Sequence, residues 1–382
     1  MATYNIKPGN DETPEKPIWR KNLSMTYAGS EGKGYYEKVI WRQGGRLWLL
    51  LTVLVLSLFS CTPGGPQDKS TYMVIKGHTQ GTTYMVKYSS ADSTSWKGQI
   101  QKILNEVDSS MSTYRDGSII SRINRNDTTV RADDHFRKVF QTARRVSRLT
   151  DGAFDITVAP LVNAWGFGFT ERTGVDSAKI DSLLAFVGYR SIRLEDERVY
   201  KSDRRTMIDM NAIAQGYAVD ALSRFLETQQ VENYLVEIGG EVRTKGVNPQ
   251  GQVWRIGIDQ PIDSSSARQR KLQAIARVQN RSVATSGNYR KFYIKDGVKY
   301  SHTINPQTGY PVRHSLLSVS VFAEKCVFAD ALATAFMVMG QEESKQFLQK
   351  HPDIGAYFIY SDQEGRFRVD YTSNIKDLIR NL

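Results

Sequence analysis

The chain has 382 residues, 40% hydrophobic, 24% charged and 10% aromatic, so it can bury a substantial core and is neither disordered nor fibrous in composition. Its net charge of +11 is spread from Lys76 to Arg380 among acids, without a nucleic-acid-binding module to focus it. Two cysteines, Cys61 and Cys326, exclude a disulfide framework and are too few for a structural zinc site; Cys326, beside Val327, Phe328 and Ala329, reads as a buried free thiol.

The N-terminal region reads as an address. Leu47 to Phe59 is an apolar run preceded by Arg42 and Arg46, shorter than the ~20 residues that span a bilayer and suited to a secretory signal. It ends in Leu58-Phe59-Ser60-Cys61, similar to a bacterial lipobox with Cys61 as the lipidated residue. Residues 1–60 are expected to be a signal peptide, with Met25 as an alternative start, and residues 61–71 a lipidated, Pro- and Gly-rich tether. Residues 72–382 would then be one folded domain on the periplasmic side, lipid-anchored to the inner or the outer membrane.

Two β-rich runs, TYMVIKG and TTYMVKYS, flank His78 to Gly81 and predict a hairpin. Helices follow at Trp96 to Ser109, with Ile100, Ile103, Leu104 and Val107 on one face, at Phe136 to Leu149, and at Ser177 to Phe186. Arg144, Arg145 and Arg148 are expected on the solvated face of the second. The short run MIDM reads as a strand leading into a helix through Phe225. Beyond it come strands in NYLVEIGG, EVRTKG, VWRIGID, LQAIARV, FYIKDGVKYSHTI, SLLSVSVFA and AYFIYSDQEGRFRVDY, with Asp296-Gly297 marking a tight turn. Cys326 to Gly340 predicts a helix closed by its glycine. The sum is an α+β fold of mainly antiparallel sheets with flanking helices.

Four segments carry chemistry. On the last helix Asp330 and Thr334 lie four apart, so both project from one otherwise apolar face. Two hard oxygens there suit Mg²⁺; alternatively Asp330 caps a neighbouring helix and Thr334 bonds its own backbone. In TMIDMNAIAQGYAVDALSRF, Asp209 and Asn211 sit at a junction whose small residues, Ala212 to Gly216, let backbone approach an anionic ligand; an Asn-capped structural helix is the other reading. In DGAFDITVAPLVNAWGFG, Trp165-Gly166-Phe167-Gly168 forms an aromatic loop able to stack a flat ring, or a plain core turn. In KYSHTINPQTGYP, His302 stands at a strand end where an imidazole can take a proton from a hydroxyl, although a lone His also serves structurally.

Taken in order, GTTYMVKY, MSTYRDGSIISRIN, DGAFDITVAPLVNAWGFG, IDMNAIAQGYAVD, YLVEIGGEV, ATSGNY, SHTINPQTG and ADALATAF resemble the FAD:protein FMN transferase (ApbE) family, over about Gly81 to Met339. The resemblance implies one catalytic domain that uses Mg²⁺ and FAD, moving FMN onto a Thr or Ser hydroxyl with release of AMP. It assigns Asp330, Thr334 and the Ala212 carbonyl to the metal, and His302 to the catalytic base. Asp209 would contact FAD; Met85, Ser112, Thr113, Tyr114, Trp165, Gly166, Phe167, Glu237 and Ser286 fall in segments that line the flavin pocket. Gln215 departs from the family's usual Lys and removes a charge that would face the cofactor. Acceptors would be FMN-binding subunits of the sodium-translocating NADH:quinone reductase or of Rnf complexes. An FAD pyrophosphatase giving FMN and AMP, and a non-catalytic flavin-binding lipoprotein, are the alternative readings.

Overall fold

A computed structural model describes residues 71–168, 175–262, 271–288, 292–295 and 298–382, without the side chains of 292–295 and 298–300. Cys61, the signal and tether, and the Asp296-Gly297 turn lie outside the described residues. In chain order the elements are β1 (Thr71–Thr79), β2 (Thr82–Ser90), α1 (Lys97–Met111), α2 (Ile119–Asn124), α3 (Asp134–Leu149), α4 (Ala159–Ala164), α5 (Ser177–Leu184), β3 (Ile192–Glu195), β4 (Arg198–Lys201) and α6 (Ala214–Thr228). Then come β5 (Tyr234–Ile238), β6 (Glu241–Lys245), β7 (Trp254–Asp259), β8 (Leu272–Val278), β9 (Arg281–Gly287), β10 (Phe292–Lys295), β11 (Val298–Ser301) and β12 (Leu316–Ala323). The chain closes with α7 (Cys326–Gln349), β13 (Gly355–Ser361), β14 (Phe367–Tyr371) and β15 (Ile379–Asn381).

The fold is α+β, as its sequence predicts. Its main sheet has the order β1-β2-β5-β6-β9-β12-β13-β14, and every neighbouring pair is antiparallel. Alternation along the strands gives the sheet two apolar faces. Tyr84, Val86 and Tyr88 of β2, Val236 and Ile238 of β5, and Val319 and Val321 of β12 join one core with α1, α3, α6 and α7. On the opposite face Val283, Phe322 and Tyr357 pack against Ile258, Ala274 and Ala276 of a small sheet, β15-β8-β7. The α3 helix shows why the local sequence suffices: the Asp133 side chain accepts the Phe136 N–H at 2.8 Å as a cap, and Phe136, Val139, Phe140, Ala143 and Val146 bury one stripe. Arg144, Arg145 and Arg148 lie on its exposed face as expected, with Arg145 over the Phe328 ring at 5.2 Å.

Two expectations are corrected. MIDM is not a strand: the Ile208 N–H donates to Asn124 Oδ1 and the Ile208 carbonyl accepts from Asn124 Nδ2, both at 2.8 Å, so a side chain supplies what a ladder would. The helix from Cys326 does not stop at Gly340. Gly340 takes φ 78°, which breaks the helical run, and a second stretch continues directly to Gln349.

Candidate active site

The site is built where α6 meets α7. Gly216 faces α7 so closely that a Cβ there would lie 2.5 Å from the Cys326 carbonyl oxygen and 2.7 Å from Asp330 Cβ. Only glycine permits that approach, and it lets the Gly216 N–H donate to Asp330 Oδ2 at 2.9 Å. In an unbroken helix this N–H would bond the carbonyl four residues back, that of Ala212. Here it is committed to Asp330, and the Ala212 carbonyl accepts no backbone hydrogen bond among the described residues. Asp330 is buried, and Thr334, one turn along, sits 3.3 Å through its Oγ1 from Ser286 Oγ on β9. The Asp330 carboxylate thus caps the first turn of α6, the alternative its spacing allowed, while it, the Thr334 hydroxyl and the Ala212 carbonyl predicted for a metal stand on the two segments that meet here. Hard oxygen donors are the chemistry Mg²⁺ takes, so the residue types fit the ion.

The electrostatics of this contact were hidden in the sequence. Burial pushes the Asp330 carboxyl up to about 7, against the Gly216 N–H, which lowers it. Glu241, the first residue of β6, is also buried, and its Oε2 has no hydrogen-bond partner. Burial first, then the negative charge of Asp330, hold its carboxyl well above the usual range. Two residues further on, Arg243 reaches Asp220 of α6 at 2.8 Å and Glu227 at 3.1 Å. Asp220 in turn accepts the N–H groups of Cys326 (3.1 Å) and Val327 (2.9 Å), capping α7 from a different helix. Asp220 closes the IDMNAIAQGYAVD motif, but its partners come from distant elements, so spacing carries no signal for them. For Glu241, the first residue of the mostly polar run EVRTK, the sequence offers no such signal either.

A second group surrounds the aromatic loop. Buried Trp165 donates its indole N–H to the Gly309 carbonyl at 2.8 Å, and the Phe167 ring meets the His302 ring edge-on at 6.4 Å. The loop after His302 is folded by the Ile304–Pro311 bridge, with Asn305 Oδ1 accepting the Gln307 N–H. The fold therefore brings the third and fourth motifs together. They join the first group where the Asp209 N–H donates to the Ile156 carbonyl at 2.7 Å. Burial holds the Asp209 carboxyl above its ordinary value, opposed by the Asn211 N–H at 2.7 Å. Asp155 and Thr157 are structural: Asp155 accepts from Thr157 N, Thr157 Oγ1 and Tyr189 N at 2.6–2.8 Å.

The remaining candidates lie around this frame. Ser112, Thr113 and Tyr114 follow α1; Tyr114 is largely exposed and the buried Thr113 Oγ1 has no partner. Gln215 packs its amide where a Cβ on Gly239 would stand, about the β5–β6 turn. Met85 and Glu237 are cross-strand partners on the sheet face away from α6 and α7, where Met85 packs with Trp254 and Glu237 accepts the Gly240 N–H at 2.9 Å.

Comparison with known proteins places the chain in a family. Residues 80–358 match the ApbE family. The FAD:protein FMN transferase of Vibrio cholerae is 39% identical over 305 residues, 78% of this chain and 89% of that protein. The FAD:protein FMN transferase of Haemophilus influenzae is 34% identical over 83% of this chain and 93% of its own length. Among solved structures, the flavin transferase ApbE from Vibrio cholerae superposes with a TM-score of 0.72 at 35% identity, covering 81% of this chain and 99% of its own. An ApbE protein from Thermotoga maritima gives 0.70 at 28% identity, over 81% of this chain and all of that one. With both sequence and architecture matched over most of its length, the chain belongs to the ApbE family.

Proposed function

We propose that the chain is an FAD:protein FMN transferase that uses Mg²⁺ and modifies a Thr or Ser hydroxyl of a target flavoprotein. What supports the reading is the placing of Asp330 and Thr334 one turn apart on α7, against the segment whose Ala212 carbonyl accepts no backbone hydrogen bond among the described residues, inside a chain of this family. Those three would hold the ion, and Mg²⁺ would supply positive charge to the pyrophosphate of FAD. Asp209 and the Trp165–Phe167 loop would orient the flavin nucleotide. His302, beside Phe167, would accept the proton of the acceptor hydroxyl. As that oxygen bonds to the FMN phosphorus, the P–O bond to the AMP phosphate breaks, leaving FMN on the protein as a phosphodiester and releasing AMP.

The same reading places the enzyme outside the cytoplasmic membrane, tethered through Cys61. Its acceptors there would be FMN-binding subunits of sodium-translocating NADH:quinone reductase or Rnf-type complexes. The test is to incubate the protein with FAD, Mg²⁺ and such an acceptor domain, and to follow the acceptor and nucleotides by mass spectrometry. The expected result is an FMN-sized mass gain with AMP release, lost in His302→Ala. AMP and free FMN without a modified acceptor would instead establish a pyrophosphatase, and intact bound FAD a carrier.

A further inference from the structure

Two of the four buried acids among the described residues follow one rule, that the chain itself supplies their partners. Asp155 has three donors, and Asp220 has an arginine and two helix N–H groups. Glu241 breaks the rule. Its side chain is 6% exposed, its Oε2 has no partner, and among the described residues neither it nor Asp330 is paired with a basic side chain. Leaving such a group unpaired is costly, so the arrangement points to something that binds there.

The direction of Glu241 follows from the strand. Side chains two apart share a face, and Arg243 meets Asp220 on α6. Glu241 therefore faces the helices as well, as does its cross-strand partner Ile238 in the main core. The helix contact has two levels. At one, Asp220 accepts from Arg243 and from the first N–H groups of α7; one turn away, Asp330 accepts from Gly216. Along β6, Glu241 stands two residues from Arg243, and its neighbour Val242 places its carbonyl 3.7 Å from Cys326 Sγ, one turn before Asp330. Of the charged groups, Asp330 acts on it most strongly.

We propose that Glu241 is a further oxygen donor to the divalent cation held by Asp330, Thr334 and the Ala212 carbonyl, either directly or through a bound water. This rests on the magnesium reading above. A cation between the two carboxylates relieves the repulsion between them and supplies Oε2 with the partner it lacks.

The test is calorimetric titration of the full-length protein with Mg²⁺, and thermal melting with and without the ion, for the parent, Glu241→Gln, Glu241→Asp and Asp330→Asn. Glu241→Gln keeps shape and removes the unpaired charge. It should raise the melting temperature of the metal-free protein, weaken Mg²⁺ binding by about 10- to 100-fold, and shrink the rise in melting temperature that Mg²⁺ gives the parent. Glu241→Asp should recover part of the affinity. Mg²⁺ binding within twofold of the parent in Glu241→Gln, with Asp330→Asn strongly impaired, would overturn the role of Glu241 and leave the metal site standing. Parent-like binding in Asp330→Asn would overturn the magnesium reading itself, and this proposal with it.

Discussion

Asp220 and Asp330 are buried aspartates at successive levels of one helix contact, yet their surroundings are opposite. Asp220 meets Arg243 and the first N–H groups of α7, so its charge is answered within the chain. Asp330 has one backbone donor and a buried acid, Glu241, nearby. The difference separates a scaffold role from the proposed one: the charge the chain neutralises itself holds the helices together, and the other is the one proposed for a cation.

The comparison breaks most sharply at its satisfied level. Asp220→Ala leaves Arg243 without its buried partner and uncaps α7, so urea unfolding should show a loss of about 3–5 kcal/mol; a loss below about 1 kcal/mol would show that the clamp is dispensable. At the open level the effect should fall on activity. Asp330→Ala should lower FMN transfer more than about 100-fold, beyond the range of an outer partner, while the unfolding midpoint stays equal to or above the parent's without metal. Full Mg²⁺-dependent transfer in that variant would remove Asp330 from the site. Gly216→Ala strains both levels together, since its Cβ would meet the Cys326 carbonyl and Asp330. About 1–3 kcal/mol of destabilisation is expected, with a weaker response to Mg²⁺ in the same melting curves.

The smallest effect is a slope. In metal-free protein the folded Asp330 carboxyl, pushed up to about 7, keeps a proton that the unfolded chain, near the ordinary 3.8, has lost. The folded state then binds more protons, so stability falls as pH rises from about 4 to about 7, by at most about 1.4 kcal/mol per pH unit for one group. Melting temperatures measured across that range with a chelator should show the decline, and Asp330→Asn should make it shallower. An unchanged slope in the variant would assign the pH dependence to other groups.

Much of this was legible in the sequence because it rests on local spacing. The i, i+4 pair Asp330 and Thr334, the amphipathic stripe of α3 and the hairpin β1–β2 are local patterns, and the fold keeps them. What escaped depends on partners far along the chain. RSVATSG, with few large apolar residues, gives a weak strand signal, yet β9 lies between β6 and β12 in the main sheet and brings Ser286 to Thr334. MIDM carries a strand pattern, but Asn124 satisfies it. The pairing of Asp220 with Arg243 and the solitude of Glu241 exist only once β6 lies against α6 and α7.

The place of β1 at the margin of the sheet has a mechanical consequence. Its first residue, Thr71, pairs with Ser90 at the end of the hairpin away from the turn. A pull on the chain from its N-terminal side would load the β1–β2 hydrogen bonds one after another, as a zipper opens, instead of all at once. The first tie to give would be Tyr72, whose hydroxyl donates to the Val247 carbonyl at 2.8 Å and whose ring meets Trp254, and the strand would then peel bond by bond. The hairpin would act as a fuse between any attachment upstream and the contact of α6 with α7.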